Sequence, residues 1–401
     1  MQRNFAVDAN QPQARGFAQS GIRVANERAI LTLIALRPGS SNADLARSSG
    51  LGPQTTSRIV GELETRELIR RGEPLRGRRG QPATPLFINP QGAFVIGVEI
   101  GWRSLELVLL SMEGRTLATI SRSYSWPDAE VIFARIADEV AQLSARLTPT
   151  HAERLIGIGV ACPGDIHRGV LELGATAPQA VLWQDIDIAG RISELTGLEV
   201  DVVNDGSAAC WSEWLALPQP WPAAFACLHV GTFISSGIND NGTLWQGRSG
   251  NAANLGAIIV PGADGKPSTV QDVASLLALQ HRLEAAGTAL PHGNPLDWDW
   301  SALQPAADAW LDDAARALAT AIVSTRAIIE LDLTLVDGVM PRPVVARLVE
   351  RVNHHLAQLP RQDAPPTVAL GAMGGVAAAS GVAQLMLFRR YFSRAWNLFV
   401  T

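Results

Sequence analysis

Residues 229–242 read HVGTFISSGINDNG, and the fold turns on how that stretch is taken. An apolar strand runs into Gly-Thr, small residues and a further Gly follow, and Asn-Asp-Asn-Gly closes a hairpin. That is much of the layout of a turn that cradles phosphate on bare backbone N–H groups. Phe233 and Ile234, however, stand where such a turn wants no side chain. The stretch reads either as a nucleotide site or as what remains of one.

Around it the chain alternates strands and helices. Residues 93–124 (AFVIGVEIGWRSLELVLLSMEGRTLATISRSY) predict three strands in a meander that turns at MEGR. Residues 129–147 predict a helix, and residues 155–166 (LIGIGVACPGDI) a strand. A helix over 187–197 leads into LEVDVVNDGSAACWSEWLAL (198–217), a strand, a turn and a helix. The hairpin of 224–247 is followed by a Pro/Trp-rich stretch (290–300) that reads as a surface loop. A long Ala-rich helix within 301–332, the strand LTLVDGVM (333–340) and terminal helices complete the chain. Strands and then helices, twice over, imply an α/β protein of two lobes with a cleft between them. Residues 368–388 run 21 positions without a charge, enough on paper to span a bilayer. They are mostly Ala and Gly with Ser380 and Gln384 inside, so insertion is weakly favoured and a buried helix of a soluble domain is expected.

The N-terminal region has another pattern. Residues 1–25 are polar and read as a loosely ordered lead-in. From Asn26, NERAILTLIALRPG puts Ile30, Leu33 and Ile34 on one helical face and stops at Pro38-Gly39. SNADLARSSG spaces Ser41 and Asp44 as a capping box, with Gly50 as a stop. LGPQTTSRIVGELETRELI opens at Pro53 and buries Ile59, Val60 and Leu63. Residues 68–89 (LIRRGEPLRGRRGQPATPLFIN) then predict a two-stranded ribbon with a basic, Gly-rich tip. Together these make a winged helix-turn-helix pattern, whose second helix enters the major groove of double-stranded DNA. Gln54, Thr55, Thr56, Ser57 and Arg58 would face base edges there. Arg76, Arg78 and Arg79 on the tip suit a narrow minor groove or its phosphates. A three-helix bundle with a solvated polar face would share the helix pattern, but not the basic tip.

Charge separates the same two regions. The chain of 401 residues has a formal net charge of −5, yet residues 1–95 hold 13 Arg against 7 Asp and Glu, a net of +6. A basic head on an acidic body implies that only the head meets nucleic acid. With 47% hydrophobic residues the chain can bury two or three cores. Cys162, Cys210 and Cys227 lack C-x-x-C spacing, which argues against a disulfide framework or a cysteine-built zinc site and fits a cytoplasmic protein. Asp8 and Arg15 interrupt any apolar h-region, so no signal-peptide pattern is read at the N-terminus, and no membrane association is expected.

Six stretches in one order resemble the ROK family (repressors, open reading frames and sugar kinases), in its xylose- and N-acetylglucosamine-repressor-like branch. They are GRRGQPATPLFIN, VIGVEIG, GIGVACPGDI, VVNDGSAA, HVGTFISSGI and GNAANLGAI. The resemblance covers nearly everything from Asn26 onward. It implies a winged helix-turn-helix followed by a two-lobed actin-like ATPase (ribonuclease H-like) sugar-kinase fold, with sugar and nucleotide sites in the cleft. In the family's kinases the Asn of the motif matching VVNDG holds the sugar, and its Asp is the base on the attacked hydroxyl. Here those are Asn204 and Asp205. Both would also cap the helix that follows.

Departures from the family share a direction. The first phosphate loop, Asp-x-Gly-Gly-Thr in the family, reads EIGWRS, with Glu99, Trp102 and Arg103 as replacements. The second, Gly-Thr-Gly-Ile-Gly-x-Gly, reads GTFISSG, with Phe233 and Ser235 for two glycines. Asn254 stands for a sugar-binding Glu, Gln271 for another, and Ala257 for a His that serves both sugar and zinc; the zinc cysteines are absent. No metal and no cofactor is therefore expected. The resemblance implies a lead-in over 1–25, a DNA-binding domain over 26–90, a first lobe over 91–205 rejoined by helices at about 380–401, and a second lobe over 206–379. The expected function is a DNA-binding repressor of carbohydrate genes that senses a sugar-like effector through Asn204, Asp205, Asn254 and Gln271 and forms a homodimer or homotetramer. An active ATP-dependent sugar kinase with a DNA-binding head is the alternative, and a ligand-free regulator in which the fold only dimerises is a third reading.

Overall fold

The computed structural model describes residues 19–74, 84–262, 264–288, 291, 293–359 and 366–393. Arg76, Arg78 and Arg79 lie outside the described residues.

Three helices open the chain: α1 (Gln19–Leu36), α2 (Asn42–Ser49) and α3 (Pro53–Thr65). The first starts seven residues before Asn26, so the described end of the expected lead-in is helical. Ser41 and Asp44 form the predicted capping box, and Gly50 ends α2 in the left-handed region at φ 71°. Two short strands, β1 (Ile69–Arg71) and β2 (Leu86–Ile88), pair antiparallel as the base of the wing, with Ile69 opposite Ile88.

Two five-stranded sheets form the body. The first has strands β3 (Phe94–Ile100), β4 (Ser104–Ser111), β5 (Thr116–Ser123), β6 (Leu155–Cys162) and β7 (Val200–Asn204), in the order β5-β4-β3-β6-β7. The second repeats that topology: β8 (Ala224–Val230), β9 (Ile234–Asp240) and β10 (Thr243–Leu244) meander, then β13 (Leu333–Gly338) and β14 (Val368–Leu370) join in parallel. A small hairpin of β11 (Ile259–Pro261) and β12 (Pro267–Thr269) lies apart. Alternation within β3 shows why it is buried on both faces. Phe94, Ile96, Val98 and Ile100 enter the first lobe's core, with Ile136, Val140 and Ile192. Val95 and Gly97 face the other way, where a Cβ on Gly97 would strike the backbone of Ala379. The helix Ala377–Tyr391 can lie on the sheet only because that position is glycine.

The uncharged run of 368–388 is therefore not a single buried helix. Its first residues are β14, and the helix starts at Ala377. Two buried carboxyls explain the break. Glu213 accepts N–H bonds from Ala372 (2.7 Å) and Met373 (3.0 Å), and Asp337 accepts one from Gly374 (2.7 Å), whose φ is +59°. Those N–H groups cannot enter a helical ladder while the carboxyls hold them. Burial and the adjoining Asp337 push the Glu213 carboxyl up to about 7. Among the described residues no helix is long and apolar enough to cross a membrane.

Head and body share one core. Ile30, Leu33 and Ile34 of α1 and Leu86 of β2 pack in a cluster with Val108, Leu110, Met386 and Leu387 of the body. The hydroxyl of buried Thr32 donates to the Arg28 carbonyl and accepts the N–H of Ser393 at 2.9 Å. Removing a side chain such as Leu387 from such a seam costs about 2–5 kcal/mol.

Candidate functional site

In the head, α3 turns one stripe inward. Thr56, Ile59, Val60 and Leu63 recur at helical spacing and all are buried. Thr56 is thus corrected from base-reading to core: it is fully buried, and its hydroxyl donates to the Gly52 carbonyl at 3.3 Å. Gln54, Ser57 and Arg58 are exposed and Thr55 half-buried on the outer side. The Arg58 guanidinium donates to Glu62 one turn on at 2.7 Å, and Glu62 also receives Arg23.

In the body, the candidate site lies where β7 runs into the helix Asp205–Ala216. Asn204 caps that helix, accepting the Ser207 N–H at 3.1 Å, while its amide donates to Asp205 (3.1 Å) and to Asn251 (3.3 Å). The capping and site readings therefore hold together, because carbonyl and amide face different partners. Gly206 must be glycine, since a Cβ there would strike the backbone of Ser236 in β9. Asp205 is 9% exposed; burial pushes its carboxyl up to about 6, against the helix N–H groups that favour the ionised form. Burial, then Asp205 and Glu106, hold the Glu99 carboxyl well above its ordinary range.

The cleft has two chambers on either side of Asp205. One, of about 320 Å³, is lined by all four predicted ligand residues, Asn204, Asp205, Asn254 and Gln271. Sequence reasoning missed Asp165, Arg168, Asn251 and Asp272 on the same walls. Asp165 and Asn251 lie in or beside motifs that carried the resemblance, and that position was the available signal; nothing in sequence spacing points to Arg168. The other chamber, of about 440 Å³, has Glu99, Arg103, Glu106, Gly231, Trp298 and Arg342 among its walls.

Trp102 and Phe233 belong to both chambers and meet between them, ring centroids 4.6 Å apart and edge to face at 82°. They come from the two expected phosphate loops. Phe233 is 7% exposed, turned inward rather than into solvent. The second loop also consumes its own donors: Gly231 N–H goes to the Phe233 carbonyl at 3.2 Å, and Ile234 N–H to the Gln271 side chain at 3.3 Å. In the first loop Gly101 N–H goes to the Ser104 carbonyl at 3.0 Å. Arg103, in the family's Thr position, ties the lobes by donating to Gln280 at 3.0 Å. Among the described residues no three His, Cys, Asp or Glu side chains gather as a metal site.

Residues 95–388 match the ROK family, and residues 25–70 a winged helix-turn-helix DNA-binding domain. The chain is 27% identical over 380 residues to the uncharacterized protein y4fQ of Sinorhizobium fredii, covering 92% of each. It is 24% identical to the xylose repressor of Bacillus spizizenii over 60% of this chain and 62% of that one. To the DNA-binding transcriptional repressor Mlc of Escherichia coli it is 24% identical, over 69% and 70%. The crystal structure of a ROK family transcriptional regulator, a homologue of Escherichia coli Mlc, superposes with TM-score 0.66 at 21% identity, covering 95% of this chain and all of that one. A ROK family glucokinase from Streptomyces griseus, in complex with glucose and AMPPNP, gives TM-score 0.58 at 22% identity over 73% and 99%.

Proposed function

The chain belongs to the ROK family, and on that premise we propose that it is a DNA-binding transcriptional repressor of carbohydrate-metabolism genes. Its kinase-derived body senses a sugar-like effector and does not turn over ATP. The observation that carries this reading is the contrast inside one cleft: the polar chamber keeps Asn204 and Asp205, while Trp102 and Phe233 fill the meeting point of the phosphate loops. The relatives named as a xylose repressor and as a DNA-binding transcriptional repressor support the same assignment. The exposed Gln54, Thr55, Ser57 and Arg58 would read the operator, with Arg76, Arg78 and Arg79 on the backbone or minor groove. The core shared by α1 and the helix Ala377–Tyr391 gives a sensed ligand a packed route to the head. Assembly as a homodimer or homotetramer would pair two heads on a two-fold operator, and a cytoplasmic location follows from binding DNA.

Fluorescence anisotropy on operator DNA, titrated with a sugar panel, tests the proposal. Specific binding that one sugar shifts by tenfold or more is expected; specific binding that no small metabolite alters would leave only a ligand-free regulator. The kinase reading has one observation in its favour, a buried Asp205 pushed up to about 6 where a base would stand. Release of ADP from Mg-ATP in the presence of a sugar would establish it.

A further inference from the structure

The first phosphate loop has not merely lost a glycine; its tryptophan is seated. Trp102 lies over the helix Ile166–Glu172 at Gly169, where any Cβ would collide with the indole. The indole also packs against the first lobe's core and meets the Phe233 ring in a T-shaped contact. Two further positions, on different elements, thus fit the indole, which lines the same chamber as Asn204, Asp205 and Asn254. A pyranose or pentose ring has the matching duality: one face of C–H groups and a rim of hydroxyls. Small-ligand sites commonly pair an aromatic surface with a few convergent polar groups in this manner.

Charge narrows the ligand further. The chamber's walls hold four carboxyl groups, Asp165, Glu172, Asp205 and Asp272, against one guanidinium, Arg168. That Arg168 is already 3.5 Å from Glu172. A phosphate dianion would meet net negative charge there, and the two rings border both this chamber and the other.

Resting on the sensor reading above, we infer that the effector is an unphosphorylated sugar, stacked on Trp102 with its hydroxyls toward Asn204, Asp205 and Asn254, and that sugar phosphates are excluded. Trp102 then sets specificity as well as blocking phosphoryl transfer. The test uses the full chain and isothermal titration with xylose, glucose and N-acetylglucosamine, alongside glucose 6-phosphate and N-acetylglucosamine 6-phosphate. Tryptophan fluorescence is read in parallel.

A free sugar should bind and change the tryptophan emission, and its 6-phosphate should bind at least a hundredfold more weakly. Trp102→Gly should weaken the free sugar tenfold or more, while Trp102→Phe retains most of the affinity. Gly169→Ala, which displaces the indole without touching a polar group, should also weaken it. Binding of a sugar phosphate as tight as the free sugar would overturn the inference and leave the sensor reading standing. So would a free sugar indifferent to both Trp102→Gly and Gly169→Ala. Binding of none of the five, together with operator binding that no sugar of the wider panel alters, would bring down the sensor reading and this inference with it.

Discussion

The two ends of the cleft have gone different ways although Asp205 borders both. On the ligand side, the end of β7 still presents an Asn-Asp pair on a helix N-terminus, with Asn251, Asn254 and Gln271 around it. On the other side, Trp102 and Phe233 stand in the two loops expected to hold phosphate, and loop N–H groups bond within the protein. On the proposed function, the difference means that ligand recognition and phosphoryl transfer are separable. The first uses side chains on rigid elements, which tolerate changes elsewhere. The second needs bare backbone at close approach, which a single side chain removes.

The largest effect should come from the end that was kept. Asp205→Ala is expected to abolish the effector's influence on operator binding while leaving operator affinity within a few-fold, since a ligand shifts an equilibrium only through contacts that differ between states. Anisotropy titrations with and without effector check this. A normal response in the variant would place the sensor elsewhere. Next comes the head: Arg58→Ala should cost about 1–3 kcal/mol on the operator and relax one base pair. Quantitative binding to operator and scrambled DNA decides between that and a uniform loss. The Arg58–Glu62 pair at 2.7 Å must open for a guanine contact, so the lower part of that range is expected.

A third prediction concerns what the retained carboxyl does to stability. Asp205 is about 6 in the folded chain against an ordinary 3.8, so the native state binds the extra proton more readily than the unfolded one. Stability from this group is present at low pH and is lost as pH rises from about 4 to about 6. Asp205→Asn should therefore match the parent near pH 4 and exceed it at pH 8 by about 1–3 kcal/mol. Glu213, pushed up to about 7, adds slope of the same sign in both proteins and cancels in the difference. Urea unfolding at the two pH values measures it; equal stability at pH 8 would mean the carboxylate is already compensated there.

How much of this was legible depends on whether the signal was local. The capping box at Ser41 and Asp44, the β3–β4–β5 meander and the strand-turn-helix at Asn204 all follow from short-range pattern, and they formed as read. Thr56 was misread because a hydroxyl on a recognition helix looks polar until the stripe of Ile59, Val60 and Leu63 fixes which side is inside. The break before Ala377 was invisible because it is imposed by Glu213 and Asp337, 159 and 37 residues away along the chain. That Trp102 and Phe233 stand where the resembled family has glycine could be read from the motifs alone. That their replacements meet each other required the two lobes to be brought together.

The smallest expected effect is none at all, and it bears directly on the comparison. If the phosphate side failed only because two rings occupy it, Trp102→Gly with Phe233→Gly should restore sugar phosphorylation. We expect no ADP release above background from either the parent or this double variant with Mg-ATP and any sugar of a broad panel. Three obstacles would remain after the rings are gone. Glu99 stands where the resemblance implies a metal-associated Asp one methylene shorter, and burial, with Asp205 and Glu106 nearby, favours its neutral form, a poor metal partner. Gly101 N–H is committed to the Ser104 carbonyl, and Ile234 N–H to Gln271. Arg103 stands in place of a small hydroxyl residue and is tied to Gln280 across the lobes. Misplacement of about an ångström near the reacting atoms costs on the order of a hundredfold in rate, and here several groups are displaced together. Coupled-enzyme detection of ADP over hours supplies the sensitivity. Turnover in the double variant that disappears on adding Asp205→Ala would show that the phosphate side is blocked rather than dismantled; the same result in the parent would restore the kinase reading outright.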